Sequence, residues 1–200
     1  MKQRRGQIVP LRRVVGDAHE MSDEALLAAC AVAEPAALGA LFDRHAVCVH
    51  RFLARVAPAG RGDLDDLVQM TFVEVWKSSS RFRGTGSARS WILGIAANVA
   101  RHHARGEARR SSAMRDLAEV PPPRAPRPDE QAARGQLVER LAEAVRRLPH
   151  DLRVAFVLCD VEGIPGAAAA RALGVREGTM WRRLHDARKR LRSRLEGRPS

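Results

Sequence analysis

The sequence predicts an all-α fold: two small helical domains joined by a flexible linker. Three observations carry this. Apolar residues recur at i, i+3, i+4 and i+7 through both halves of the chain, the spacing that gathers them on one helix face. Between the halves lies GEARRSSAMRDLAEVPPPRAPRPDE, rich in Arg, Ser and Pro, which cannot carry a continuous helix past Val120. Near the C-terminus a small residue, Ala170, precedes Gly174 by four positions and a basic amphipathic segment follows, the proportions of a helix-turn-helix. The expected divisions are a basic arm over 1–21, a helical domain over 22–105, a linker over 106–130 and a second helical domain over 131–196. Two hundred residues suffice for two such units.

The arm holds Arg4, Arg5, Arg12 and Arg13 but no apolar run, so it does not read as a signal peptide. Short charged termini are usually disordered; an extra DNA contact is the other reading, and Met21 is an alternative start. Ser22 is the expected N-cap of the first helix, with Asp23 and Glu24 suited to the positive end of its dipole. Leu26, Leu27 and Cys30 form a short apolar stripe. Pro35 marks the start of a longer helix whose face runs through Leu38, Leu41, Phe42, His45, Val49, Phe52, Leu53 and Val56.

After the break at Pro58–Gly62, Asp63 is the expected N-cap of a third helix, with Asp66 in the place of a capping-box Glu. Leu64, Leu67, Val68, Thr71, Phe72 and Val75 face inward; Asp65, Gln69 and Glu74 lie opposite, where stability has no need of them. The loop SSSRFRGTGS leads to a helix with Trp91, Ile92, Ile95, Ala96 and Val99 inward and Asn98 and Arg101 on another face. In the second half, Leu137, Leu141, Val145 and Leu148 form a stripe closed by Pro149. Asp151 then caps a helix burying Val154, Val157 and Leu158, and Gly163 and Pro165 punctuate. Gly174 supplies a left-handed turn and Val175 plugs the angle between helices. The last helix buries Met180, Leu184, Ala187, Leu191 and Leu195, leaving Gly178, Trp181, Arg182, His185 and Asp186 exposed.

The net charge of +12 and pI near 11.3 suit a partner of nucleic acid or of an acidic surface, although a GC-rich genome would enrich arginine too. Cys30, Cys48 and Cys159 are widely spaced, which argues against a disulfide framework or a zinc site and fits a reducing cytoplasm. No apolar run approaches the roughly 18 residues of a membrane span. His45 with Cys48, and Asp65 with Asp66, lack the further ligands a metal or acid–base site needs. No enzyme activity and no cofactor are expected. The loop before the fourth helix mixes Arg81 and Arg83 with Phe82 and two glycines. That mixture suits single-stranded nucleic acid, where arginine neutralises phosphate and an aromatic floor stacks an unpaired base. It suits a plain surface loop equally well.

Taken together, DLDDLVQMTFVEVW, then RFRG, then WILGIAANVARHH resembles the region-two signature of the extracytoplasmic-function sigma factors, with Ile92 where Leu is usual. The second half is similar to region four of the same family in Leu148-Pro149, Arg153, Glu162-Gly163, Leu173-Gly174-Val175 and Gly178-Thr179. It departs from the family in Ala168-Ala169-Ala170 for Glu-Ile-Ala, Met180 for Val, Trp181 for Lys or Arg, and Asp186 for Arg. The departures at Trp181 and Asp186 alter the side chains that would meet the upstream DNA, while the fold survives them.

The resemblance implies a subunit that binds RNA polymerase core, through its beta and beta-prime subunits, and promoter DNA, with an anti-sigma factor as a further partner. It implies core docking by Asp65, Asp66, Gln69 and Glu74. It implies capture of a flipped minus-ten base by Arg81, Phe82, Arg83, Trp91, Asn98 and Arg101. It implies minus-35 contact by Thr179, Trp181, Arg182, Arg183, His185 and Arg188. The rival reading is a free-standing helix-turn-helix regulator that binds duplex DNA without polymerase.

Overall fold

The computed structural model describes residues 18–57, 61–114 and 131–196, and every regular element among them is helical. The order is α1 (Asp23–Ala31), α2 (Pro35–Val56), α3 (Arg61–Ser78), a 3-10 turn (Ser79–Arg81), α4 (Ala88–Met114), α5 (Gln131–Arg146), α6 (His150–Phe156) continued by a π turn (Val157–Val161), α7 (Gly166–Leu173) and α8 (Glu177–Leu195). Helices α1 to α4 pack as one bundle and α5 to α8 as another.

Several helix ends follow from local chemistry. The Ser22 hydroxyl accepts the Ala25 N–H at 3.2 Å, capping α1 as expected, and Pro35 opens α2. Asp63 is not a cap: α3 begins at Arg61 and Asp63 lies within its first turn, where a carboxylate still meets the positive helix end. Asp151 is likewise inside α6, whose N-cap is Pro149. Gly174 adopts the left-handed conformation (φ 66°, ψ 31°) after α7. Its N–H donates to Arg171 O at 3.1 Å and that of Val175 to Ala170 O at 3.0 Å, the paired bonds of a Schellman motif.

Two boundaries differ from the sequence reading. The linker was placed from Gly106, yet α4 continues to Met114: a glycine costs a helix only about 1 kcal/mol, and good helix formers (Glu107 to Arg110) follow it. Residues 115–130 of the linker lie outside the described residues, as do residues 1–17 of the arm. The arm was drawn to residue 21, but residues 18–20 are helical. There Ala18 is buried and Arg44 of α2 donates to the His19 carbonyl at 2.7 Å.

The buried apolar side chains of both bundles form one contiguous core. Phe52, Leu26, Leu27, Leu41, Leu53, Leu67, Ile92 and Leu93 fill the first part; Leu158, Met180 and Leu184 anchor the second. Leu141, expected on the inner stripe of α5, is exposed, and Leu195 is half-buried. His45 is buried against Asp23, with Nε2 and Oδ2 2.8 Å apart, and Arg44 donates to Oδ1 at 2.8 Å. Burial pushes the Asp23 carboxyl up, but the hydrogen bonds from Arg44 and His45 outweigh it and hold the pKa below the ordinary value. A structural histidine tying α1 to α2 accounts for His45 without a metal.

Arg153 shows how the second bundle is braced. It is 8% exposed, and its Nη1 donates to the carbonyl of Arg146, the last residue of α5, at 2.9 Å. A cation therefore sits at the negative end of a helix dipole and satisfies an orphan carbonyl. Replacing it by methionine, similar in length and apolar, is expected to cost about 1.5–3 kcal/mol, the range for a hydrogen bond to a charged group. A lowered urea midpoint at unchanged m-value is the check; an unchanged midpoint would remove Arg153 from the list of braces.

Candidate nucleic-acid interface

The loop between α3 and α4 is shaped by its own small residues. Gly84 sits at φ 66°, a backbone conformation that side-chain-bearing residues rarely adopt. Ser87 ends the loop: its hydroxyl accepts the Ser90 N–H at 3.2 Å and its carbonyl accepts the Ser90 hydroxyl at 2.8 Å, starting α4. The chain is thereby turned so that Phe82 meets Trp91 of α4, ring centroids 5.5 Å apart and planes tilted by 59°. Both rings are half-buried, whereas Arg81 and Arg83 stand exposed on either side of Phe82. Together with Thr85, Gly86, Ser87 and Ser90 they line an open cavity of about 160 Å³. An aromatic pair with one accessible side, flanked by two cations, is an arrangement in which a flat, uncharged ring can stack while its phosphates are neutralised.

Asn98 and Arg101, one turn apart on α4, are joined by a hydrogen bond from Arg101 Nη2 to Asn98 Oδ1 at 2.6 Å. Both are half-buried. Asn98 lies where two surfaces meet. On one side it shares a groove of about 550 Å³ with Met70, Glu74, Arg81, Trp91 and His102. On the other it borders His150 and Asp151 of α6, Leu173 of α7 and Arg183 of α8. The minus-ten set is thus brought together along the loop and one side of α4, with its far end facing the second bundle.

That second bundle is packed directly on α4, which the sequence reading did not foresee. Beyond the expected inward residues, Leu93, Gly94 and Ala97 are buried, so α4 is covered on two sides. A Cβ on Gly94 would stand 2.4 Å from the Ala172 carbonyl oxygen and 2.8 Å from the Ala172 Cβ. The alanines of α7 that replace the family's Glu-Ile-Ala have a physical consequence here. Ala169 and Ala170 are buried, and Ala168, together with Ala172 beyond the replaced stretch, reaches the cavity beside Phe82 and Trp91.

A second tie is ionic. Glu162, its side chain only 10% exposed, accepts from Arg55 of α2 at 3.2 Å and from Arg89 of α4, while Arg89 also donates to the Glu162 backbone carbonyl at 3.1 Å. Neither Arg55 nor Arg89 was singled out in the sequence. A lone arginine on a helix carries no periodic signal of its distant partner.

His150 lies in this contact region, half-buried, with its Nδ1 shielded from solvent and unpartnered. Burial, then the nearby Arg153 charge, push its pKa below the ordinary value of about 6.5, against weaker opposing effects of Asp151 and of a backbone hydrogen bond with Ala97. A histidine depressed on folding contributes fully above the unfolded-state value and loses that contribution as pH falls through it towards the folded-state value. The melting temperature of the native chain should therefore fall more steeply below about pH 6.5 than that of His150→Gln. Parallel pH profiles would contradict this. The depressed carboxyl of Asp23 acts only in a more acid range and does not mask the difference.

On α8 the minus-35 candidates fall into two groups. Trp181, Arg182 and His185 are exposed, and Thr179 is half-buried. Arg183 and Arg188 are engaged within the bundle: Arg183 donates to Asp151 of α6, and Arg188 makes a paired contact with Asp160 at 2.9 and 2.6 Å. Their charge brackets the helix but their donors are already partly used. The hydrogen bonds that Arg188 donates to Asp160, ahead of the opposing effect of burial, raise its pKa further.

The core-docking candidates lie on the outer side of α3. Asp65, Asp66, Gln69 and Glu74 are all exposed. Two have local partners: Glu74 accepts from Lys77 at 3.0 Å, and Asp65 stands 4.0 Å from His50. Met70 (52% exposed) and Val73 (49%) continue the surface from Asp66 and Gln69. These apolar members were missed because one exposed Met or Val in a helical pattern passes for an irregularity of the core face.

Among the described residues no helix is long and apolar enough to cross a membrane, and no group of His, Cys, Asp or Glu is placed to hold a metal. Comparison with known proteins now bears on the geometry. The Sigma-70 region 2 family matches residues 41–110, and the Sigma-70, region 4 family matches residues 138–191. The ECF RNA polymerase sigma factor SigM of Mycobacterium tuberculosis is 33% identical over 183 residues, covering 91% of this chain and 88% of the relative. The ECF RNA polymerase sigma-E factor of Haemophilus influenzae is 25% identical over 187 residues, covering 90% and 98%. Among solved structures, CnrH in complex with the cytosolic domain of CnrY superposes with a TM-score of 0.59 at 28% identity, covering 88% of this chain and 97% of that one. The sigma factor RpoE of Bartonella quintana, at 21% identity and a TM-score of 0.58 over 78% and 94%, shares the fold. With both sigma-70 regions present in order and a relative matched over nearly its whole length, the chain belongs to the ECF sigma factors of the sigma-70 family.

Proposed function

We propose that this sigma factor docks on RNA polymerase core through the outer side of α3 and opens the minus-ten element with the loop and α4. It reads the minus-35 duplex with α8. The observation that carries this is the Phe82–Trp91 pair flanked by Arg81 and Arg83, on a cavity open to solvent. A duplex-reading regulator has no use for a stacking site of that kind. Flipping a base costs a few kcal/mol, and stacking returns about 1–3 kcal/mol per base, with phosphate contacts adding to it. Binding alone drives the step, so no covalent chemistry is invoked.

In this reading the first domain ends with α4 and the linker tethers two DNA contacts on one polymerase. The protein acts in the cytoplasm, where polymerase and chromosome are. Asn98 and Arg101 lie beside the second bundle, so a DNA strand reaching them displaces α7 and α8 from α4. CnrH was solved with the cytosolic domain of CnrY, and that likeness supports a restraining protein partner, an anti-sigma factor, for this chain too.

Run-off transcription with core polymerase on the chain's own upstream region tests the proposal. A defined transcript that needs both proteins is expected. A footprint by the isolated chain, with no transcript when core is added, would favour the free-standing regulator. For the docking side, Asp66→Lys is expected to weaken core association roughly tenfold or more, as at an interface anchor. Its melting temperature should stay put, because an exposed substitution rarely changes stability by more than about 0.5 kcal/mol. Undiminished core binding would move the docking site off α3.

A further inference from the structure

Trp181 is anomalous on a DNA-reading helix: a large apolar side chain, 49% exposed, in the second turn of α8. Its surroundings hold it in place. The indole N–H donates to Glu177 Oε1, one turn earlier, at 3.2 Å. The six-membered ring lies over the first residue of α7, Gly166, where any Cβ would stand 2.8 Å from Cζ2 and 3.0 Å from Cη2. Gly166 is thus a seat for the ring. With its one donor engaged by Glu177, the exposed part of the indole offers no hydrogen bond and presents only carbon.

An apolar edge on the first turns of a recognition helix can distinguish bases in one way. In the major groove the 5-methyl group of thymine is the apolar feature, while guanine, adenine and cytosine present donors and acceptors there. We propose that Trp181 is a specificity-determining residue that selects a thymine, through its methyl group, in the upstream duplex element. This rests on the reading of α8 as the minus-35 helix. Arg182 and His185 are exposed beside it, with no partner among the described residues, and supply the hydrogen bonds that Trp181 cannot. Arg183 and Arg188, held by Asp151 and Asp160, position the helix.

The test uses the full chain with core polymerase. Run-off transcription from its own upstream region, randomised across the duplex element, ranks the preferred bases. Each preferred thymine is then replaced by 2′-deoxyuridine, which removes only the methyl group. At one position the native chain should lose about fourfold in transcript, the ratio corresponding to about 0.8 kcal/mol for one buried methylene-sized group. Trp181→Ala should show no such loss. Trp181→Lys should lose the methyl preference and shift that position towards guanine, whose O6 and N7 accept from lysine. Gly166→Ala, which needs only the ring to move, should fold normally and blunt the methyl effect. A methyl effect of equal size in native chain and Trp181→Ala, or none at any thymine, overturns the proposal while leaving the sigma reading intact. Transcripts with no preference in the randomised element would overturn minus-35 reading by α8, and this proposal with it.

Discussion

Gly94→Leu prises the two halves of the free chain apart. The three atoms nearest a Cβ at this position all belong to Ala172, at 2.4 to 2.8 Å, and two of them are backbone, which cannot swing aside as a side-chain tip can. Leucine adds three further carbons where even the first does not fit. In an ordinary exposed helix, removing a glycine stabilises by up to about 1 kcal/mol. Overpacking a close contact costs about 1–3 kcal/mol or more. The sign of the change therefore reports whether α4 and α7 cross here. Gly94→Ala is expected to be net destabilising, and Gly94→Leu to abolish the contact, leaving the packing of α2 on α5, α6 and the π turn and the ionic tie of Glu162 with Arg55 and Arg89. That tie is only partly shielded, since both arginines are about two-fifths exposed, and such pairs contribute little by themselves. Small-angle scattering should show a larger radius of gyration for Gly94→Leu, larger again with Glu162→Gln. Unchanged scattering with equal or higher stability would mean that the halves do not pack at Gly94.

The contrast between α4 and α8 explains what the sequence could disclose. Helices announce themselves by period, so the faces through Leu41, Val49 and Phe52, or through Met180, Leu184 and Leu191, were legible and are buried. The turn at Gly174 was legible because one residue type fits a left-handed backbone so well. Caps were less secure: an Asp near a helix start fits the first turn as well as the cap, which is why Asp63 and Asp151 were misplaced. The candidate site was legible as residue types in order along the loop and α4. Its setting was not. Gly94, Ala168 and Ala172 are small, and small residues carry no periodic signal of what approaches them. Glu162 meets Arg55 and Arg89 across more than seventy positions of chain, and no local pattern encodes such a pairing. The engagement of Arg183 and Arg188 by acids on neighbouring elements was hidden for the same reason.

On the proposed reading, Phe82→Ala separates strand opening from core binding and from upstream duplex contact. Phe82 is half-buried on the loop and packs at the edge of the core, its ring centroid 5.5 Å from that of Trp91, so its loss removes one wall of the stacking site at modest cost to the bundle. Arg81 and Arg83 remain to hold phosphate, and α3 and α8 are untouched. Loss of one base-stacking partner costs about 1–3 kcal/mol, which corresponds to roughly 5- to 150-fold in open complex. The change should be read from 2-aminopurine placed in the minus-ten element, whose fluorescence rises on unstacking. Affinity for core polymerase and upstream duplex contact should stay within twofold of native, a margin of about 0.4 kcal/mol. Trp91→Ala should reproduce the defect and lower the melting temperature further, since its larger ring packs against the core from α4 itself. If Phe82→Ala opened promoters at the native rate, the aromatic pair would be a brace for the loop, and the captured base would have to lie in the groove between α3 and α4 instead. If it lost core affinity in the same proportion, the division of labour between the outer side of α3 and the loop would be wrong.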